Sequence, residues 1–364
     1  MALIFDSLKL YMGPHTLGAP DNLEDAIIDF IDGASKPRDK LLIAVQELES
    51  EPITRAIIAA KQRKVTVRIV LEGDYLRAKT GRAEPFEPVG ANEPNRLMLS
   101  ALFRAGIDVR TDYNPKIFHQ KFIVRKSARG DMAVLTGSTN FTPTGTHENL
   151  NHIVVFEGRR IAGEYEKEFT EIWEGTFGEK RSRHEQAPKD GTVSNVSYRL
   201  AFAPDHAPEM EIMKQMLKAR ETIDFAIFTF ANSSGIDDAM IAMARAGVKI
   251  RGVMDRAQGA QKWAATEAIK AAGADIRGAP KGKLFANGHR MNKLHHKLML
   301  IDHRVVIGGS FNYTGPANQL NDENIFILGD LENDTPAVVE REREVGAFVS
   351  SEIDRIFATF GEPL

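Results

Sequence analysis

The stretch HQKFIVRKSARGDMAVLTGSTN, residues 119–140, returns in the other half of the chain as HHKLMLIDHRVVIGGSFN, residues 295–312. Each copy runs His-x-Lys, apolar strand, turn, second apolar strand, Gly-Ser-x-Asn. A loop with a Glu-Asn pair follows each, at Glu148-Asn149 and Glu323-Asn324. One His-x-Lys carries little information. Two of them, each opening the same longer pattern, mark an internal repeat in which chemically able side chains recur at matched places between buried strands.

The repeat reaches upstream. Apolar periodicity predicts a helix over 22–32, a strand over 40–48, a helix over 52–62 and a strand over 65–71. The second half predicts the same order at 210–219, 222–230, 235–246 and 248–254, with KVTVRIVLEGD at 64–74 answered by GVKIRGVMDR at 247–256. A third helix follows near 94–105 and 261–272, then a short strand in GIDVRT and in GADIRG. Strands alternating with helices imply a largely parallel α/β sheet, to which the hairpin after each His-x-Lys adds antiparallel strands. The expected fold is therefore two similar α/β halves, each a mixed sheet flanked by helices, related by a pseudo-two-fold axis with the active site between them. The halves are read as residues 1–178 and 196–364. The polar, charge-dense segment 179–195 is the linker, and 73–93, rich in Pro, Gly and charge, is an irregular insertion.

Composition narrows the functional classes. Hydrophobic residues at 43% and charged residues at 27% are ordinary for a globular protein. The chain has no cysteine, so disulfides and thiolate metal ligands are excluded. No apolar run approaches the length of a membrane span, and the first residues read as no secretory signal, so the expected compartment is the cytoplasm. A net charge of −3 offers no global attraction to nucleic acid or acidic lipid, and any such partner must be met by local basic patches.

If the halves pair, one motif from each faces the other and a single site holds two histidines, two lysines, two Ser/Asn pairs and two glutamates. Lys121, Lys297, Asn140 and Asn312 can surround a phosphate with donors and balance its charge. His119 and His295 can divide the remaining work, one attacking phosphorus as a neutral ring, the other giving a proton to the leaving oxygen. A carboxylate behind each ring would fix its tautomer, with Glu148 and Glu323 as candidates. His296 belongs to the opposite strand face, because side chains alternate, and is left out of the site. His147, Glu148 and His152 do not make a zinc helix, since their spacing puts the two rings on different faces. Gly308 to Asn312 lacks the closing glycine of a nucleophile elbow, and no phosphate loop or dinucleotide fingerprint is present.

Both segments resemble the H-x-K…G-S-x-N…E repeats of the phospholipase D superfamily, and the likeness spans both halves. The resemblance implies a two-step phosphodiester reaction through a covalent phosphohistidine, with no metal or other cofactor. It implies His119 as nucleophile, His295 as general acid, Lys121, Lys297, Asn140 and Asn312 as phosphate ligands, and Ser138 and Ser310 in support. The family pattern also has an aspartate five residues after the lysine, a structural residue. Asp302 meets it in the second copy, whereas the first has Lys126 and a longer hairpin, where Asp131 is a partial substitute.

The superfamily acts on nucleic acids and on lipids. The basic run KGKLFANGHRMNKLHHK leads into the second motif, and Lys281, Lys283, Arg290 and Lys293 can track a phosphate backbone, with Arg125 and Arg129 adding charge on the first hairpin. Of the nearby aromatics, Phe118, Phe141, Phe285, Phe311 and Tyr313 are read as core before they are read as base-stacking platforms. The leading expectation is a metal-independent nuclease acting on DNA or RNA. The alternatives are a phospholipase D or a phosphatidyl transferase of the cardiolipin synthase kind, and a catalytically quiet nucleic-acid-binding module. One chain holds both motifs, so dimerisation is not needed for a complete site, and a partner protein is left room to supply specificity.

Overall fold

The computed structural model describes residues 1–77, 90–178, 188 and 190–364. Most of the expected linker and most of the expected insertion lie outside the described residues. Among the described residues the strands form two nine-stranded sheets. From its edge, the main path of the first runs through Leu8–Gly13, Asn149–Glu157, Met132–Gly137, Lys121–Lys126, Lys40–Val45, Thr66–Leu71 and Asp108–Thr111. The second repeats that order with Val196–Ala203, Glu323–Leu328, Val305–Gly309, Lys297–Ile301, Thr222–Ile227, Lys249–Asp255 and Asp275–Ala279. In each sheet the last three of these strands are parallel and the rest antiparallel, so the sheets are mixed as expected but mostly antiparallel rather than largely parallel, because the hairpin strands and the strand beyond them outnumber the strands joined by helices.

Local sequence explains the elements. Asn22 caps the helix Leu23–Asp32 by accepting from the backbone N–H groups of Glu24 and Asp25. Ser50, with proline in the first turn, does the same for Glu51–Gln62. Strand Lys40–Val45 is buried along nearly its whole length, the pattern of a central strand covered on both faces. The helix expected over 261–272 is shorter. Asp255 caps a separate turn at Arg256–Gly259, and the helix proper is Thr266–Ala271.

The seam between the sheets holds the shared core. Two helices that fill it, Arg159–Glu174 and Pro336–Phe360, bury Tyr165, Phe169 and Ile172 on one side and Val345, Val349, Ile353 and Ile356 on the other. The outer face of each sheet is covered by its own helices through separate apolar clusters. Burying these faces drives the two halves together. Among the described residues, no helix is long and apolar enough to cross a membrane.

Candidate active site

His119 and His295 end the segments that cross the seam. The backbone N–H of His119 donates to Asp322 O in the second half, and that of His295 donates to Leu150 O in the first. Each motif is thus held by the other half, and the four bases share one pocket. His119, Lys121 and Lys297 all weigh on the proton affinity of His295. The two histidines are 7% exposed and the two lysines 1%, so all four lie below the protein surface.

Strand alternation aims the side chains. His119 and Lys121 share one face, and Lys121 Nζ folds back to donate to His119 O at 2.8 Å and to Gln46 Oε1 at 3.0 Å. Lys297 Nζ donates to His295 O at 2.9 Å and lies over the Phe228 ring, 5.2 Å from its centre. The glycine of each Gly-Ser pair is required where the strand meets its neighbour. A Cβ on Gly137 or Gly309 would lie 2.3 Å from the carbonyl oxygen of His152 or Asn324, and both have positive φ.

The groups behind the two rings differ. Glu323 Oε2 stands 2.6 Å from His119 Nδ1 and accepts from Ser310 Oγ at 2.6 Å. Behind His295 the structure places Asn151, its Oδ1 3.0 Å from Nδ1 and accepting from Ser138 Oγ at 2.8 Å. Glu148, the expected carboxylate, is not there. It ends a short helix three residues earlier, where its backbone carbonyl accepts from Asn292 N–H. The Glu-Asn pairs align by letter but not by register. Counting from the serine finds the right residue, since Ser138 to Asn151 and Ser310 to Glu323 are both 13 positions.

Asn140 and Asn312 flank the pocket unequally. Asn140 Nδ2 donates to Glu47 Oε1 at 2.7 Å, so Glu47, which the sequence reading did not single out, belongs to the pocket wall. The Oδ1 atoms of both asparagines are buried without a partner. Burial pushes the Lys121 ammonium down to about 7, against the pull of Glu323 and Glu47, and pushes Lys297 well below its ordinary range. His119 is lowered to about 4 by burial, Glu323 opposing, and His295 falls well below its usual value from burial and the neighbouring lysines.

The basic patch is only partly assembled. Lys293 is exposed beside the pocket, 5.5 Å from the centre of the Phe228 ring, on a short strand that pairs with Asn149–Glu157 of the first half. Lys281 and Arg290 are exposed on the same loop, whereas Lys283 is bonded to Thr359 O. Arg125 does not join them. It packs over Phe30, donates to Phe30 O and sits with Arg129 toward the far end of the sheet. Phe118, Phe141, Phe311 and Tyr313 are core, and Phe228, half-buried beside His295, is the aromatic at the pocket. Asp302 accepts three backbone N–H bonds, from Arg220, Glu221 and Thr222, at 2.8 Å each. In the first half that tie is made by Asp39, which accepts from Lys36 and Ala128. Asp131 instead closes its own turn with Ser127 and faces Arg159 at 4.0 Å.

A duplicated mixed sheet that turns two His-x-Lys and Gly-Ser-x-Asn sets toward each other defines the class of protein: a two-motif chain of paired, similar halves. The family model described as "Cardiolipin synthase, PLD-like domain" matches residues 27–173 and 212–342, more than half of the chain, and the chain belongs to this phospholipase D family. It is 31% identical over 112 residues to a mitochondrial cardiolipin hydrolase of Chlamydomonas reinhardtii, covering 31% of this chain and 46% of the relative. It is 32% identical over 136 residues to a phospholipase D of Rickettsia felis, covering 36% and 60% respectively. The chain thus spans about half the length of the curated relatives it matches. Phosphatidylserine synthase of Haemophilus influenzae Rd KW20 shares the fold, with TM-score 0.66 and 13% identity over 100% of this chain and 89% of that one.

Proposed function

We propose that the chain is a phosphodiesterase that works through a phosphohistidine on His119, with a single strand of nucleic acid as substrate. In the first step His119 Nε2 attacks phosphorus and the bond to the leaving oxygen breaks, that oxygen taking the proton of the His295 imidazolium. In the second step neutral His295 takes a proton from water, whose oxygen displaces His119 and releases the phosphate ester. Lys121, Lys297 and the asparagine amides balance the phosphoryl oxygens throughout.

The unequal backing of the two rings carries this assignment. Phosphorylated at Nε2 and protonated at Nδ1, His119 is a cation for the life of the intermediate, and Glu323 at 2.6 Å balances that charge. An acid has to release its proton. Asn151 orients His295 through Nδ1 without the negative charge that would hold the proton back.

The nucleic-acid reading rests on Phe228 and Lys293. A half-buried ring 5.1 Å from His295 is an aromatic surface that a leaving nucleoside can meet, and Lys293 beside it can meet a neighbouring phosphate. An unpaired base can turn onto that ring where a stacked, paired one cannot. The names of the curated relatives favour a second reading, a phospholipid substrate.

The test incubates purified protein, in chelator, with labelled single- and double-stranded oligonucleotides and in parallel with cardiolipin or phosphatidylcholine vesicles plus a primary alcohol. Cleavage of single strands that His119→Asn abolishes is the expected result. Cleavage that needs a divalent ion overturns the mechanism, and lipid turnover without strand cleavage overturns the substrate.

A further inference from the structure

Behind the pocket lies a second pair of histidines that the phosphodiester reaction does not use. His152 and His296 come from opposite halves, are 1% and 0% exposed, and bring Nδ1 to Nδ1 at 3.2 Å. Their planes differ by 3° with centroids 5.4 Å apart, which sets nitrogen against nitrogen rather than face on face.

Hydrogen-bond accounting fixes where the protons are. Gly309 N–H donates to His152 Nε2 at 3.1 Å, so that nitrogen holds a lone pair and Nδ1 holds the proton of the neutral ring. His152 Nδ1–H therefore donates to His296 Nδ1, and the proton of His296 is on Nε2, 3.4 Å from Glu352 Oε1. The neutral pair has one consistent arrangement. An additional proton has no place in it. On His152 it would face Gly309 N–H. On His296 it would either set two Nδ1–H groups against each other or drive the His152 proton to Nε2, against Gly309 again.

Both catalytic motifs touch this pair. Gly309 leads into Ser310, which bonds Glu323 behind His119. Ser138, which bonds Asn151 behind His295, has its Oγ 3.3 Å from His152 Nδ1 and accepts from His152 N–H at 3.1 Å. The pseudo-symmetric place in the other half is filled by amides that cannot titrate. Asn324 donates to Gln120 at 2.6 Å, and Gln120 donates to Glu168 at 3.0 Å.

We propose that His152 and His296 are positioning residues for the phosphodiesterase site described above, holding its two motifs in register only while the pair carries no extra proton. The charged groups facing the pair are Glu352 and Arg355 on the helix Pro336–Phe360 and Lys297 on the adjoining strand, and Glu352 in turn acts on Asp21. Burial lowers the proton affinity of both rings, Glu352 opposing this at His296, so the extra proton arrives only on acidification.

Two measurements test it. Two-bond 1H–15N correlation spectra of the histidine-labelled full chain at pH 7.5 are expected to show both rings neutral, His152 as Nδ1–H and His296 as Nε2–H. A charged ring or any other pair of tautomers overturns the proposal, whether or not the protein cleaves anything. The double variant His152→Asn with His296→Gln copies the amide pair of the other half. It is expected to keep activity at neutral pH while its acid limb becomes shallower by one proton and moves down by about half a unit or more. An acid limb that coincides with that of the unaltered protein overturns the proposal, and if the variant does not fold, the tautomers decide. Absence of any phosphodiesterase activity in the unaltered protein counts instead against the function proposed above.

Discussion

His119 Nδ1 and Glu323 Oε2 meet at 2.6 Å although 204 residues separate them in sequence. The pair is assembled from both halves. In the proposed mechanism the carboxylate would do two things for His119, fixing the proton on Nδ1 and balancing the cation formed when Nε2 is phosphorylated. Glu323→Gln keeps the shape and removes the charge, so kcat is expected to fall roughly 10²–10³-fold with KM little changed. A rapid-quench measurement of phosphoenzyme formation checks this, and a loss under about tenfold would contradict a charge-balancing role.

Asn151→Asp gives His295 the partner that His119 already has. A carboxylate 3.0 Å from Nδ1 raises the ring's proton affinity by about 1–3 units, so the alkaline limb of kcat should move up by that amount. Asn151 also donates to Gly145 O at 2.8 Å, a bond the variant loses, so some stability goes with it. The pH–rate profile separates the two effects, and an unmoved alkaline limb would remove His295 from the role of acid.

Anion binding should take up protons. With Lys121 lowered to about 7 and Lys297 lowered well below its ordinary range, the unliganded pocket at pH 8 carries less charge than its two lysines suggest. A bound phosphate or tungstate restores their affinity for protons, so uptake is expected at pH 8 and less at pH 6, where Lys121 is already charged. Calorimetry of inorganic phosphate binding in buffers of different ionisation enthalpy reads the proton count directly. Lys121→Met should reduce it.

Acid sensitivity follows from the same burial. His119, His152, His295 and His296 all have depressed proton affinity in the fold, so the unfolded chain binds more protons once pH drops below about 6.5. Their contribution to stability is complete above that pH and declines as pH falls toward about 4 for His119. Thermal melts between pH 7.5 and 5 are expected to show a falling Tm. The double variant at 152 and 296 should flatten that fall.

The repeat and the His, Lys, Ser and Asn positions were legible because they begin or directly follow periodic strands whose spacing the sequence displays, whereas the strands Leu8–Gly13 and Val196–Ala203 were not read. Asn151 was not, because Glu148-Asn149 offered a false match to Glu323-Asn324 and only the distance from the serine corrects it. The inward helices Arg159–Glu174 and Pro336–Phe360 were equally hidden in function. Neither helix was singled out in the sequence, and nothing in either apolar stripe says that the two share one core. Arg125 shows the reverse error. Its charge suggested a partner outside the fold, and the structure uses it on Phe30.

The aspartate that follows the second lysine separates framework from chemistry. Asp302 takes three backbone N–H bonds at 2.8 Å at the end of a strand whose other end carries Lys297. At about 3.3 Å per residue, it stands roughly 16 Å from that lysine. Asp302→Ala is therefore expected to cost roughly 2–4 kcal/mol in denaturant melts, while kcat of the folded fraction stays within about threefold. Asp39→Ala should behave likewise, since Asp39 ties Lys36 and Ala128 in the first half. Lys126→Asp, which restores the family letter, should stabilise nothing. Lys126 holds both oxygens of Glu166 at 2.9 Å, and an aspartate there would set two carboxylates together while Asp39 already does the work.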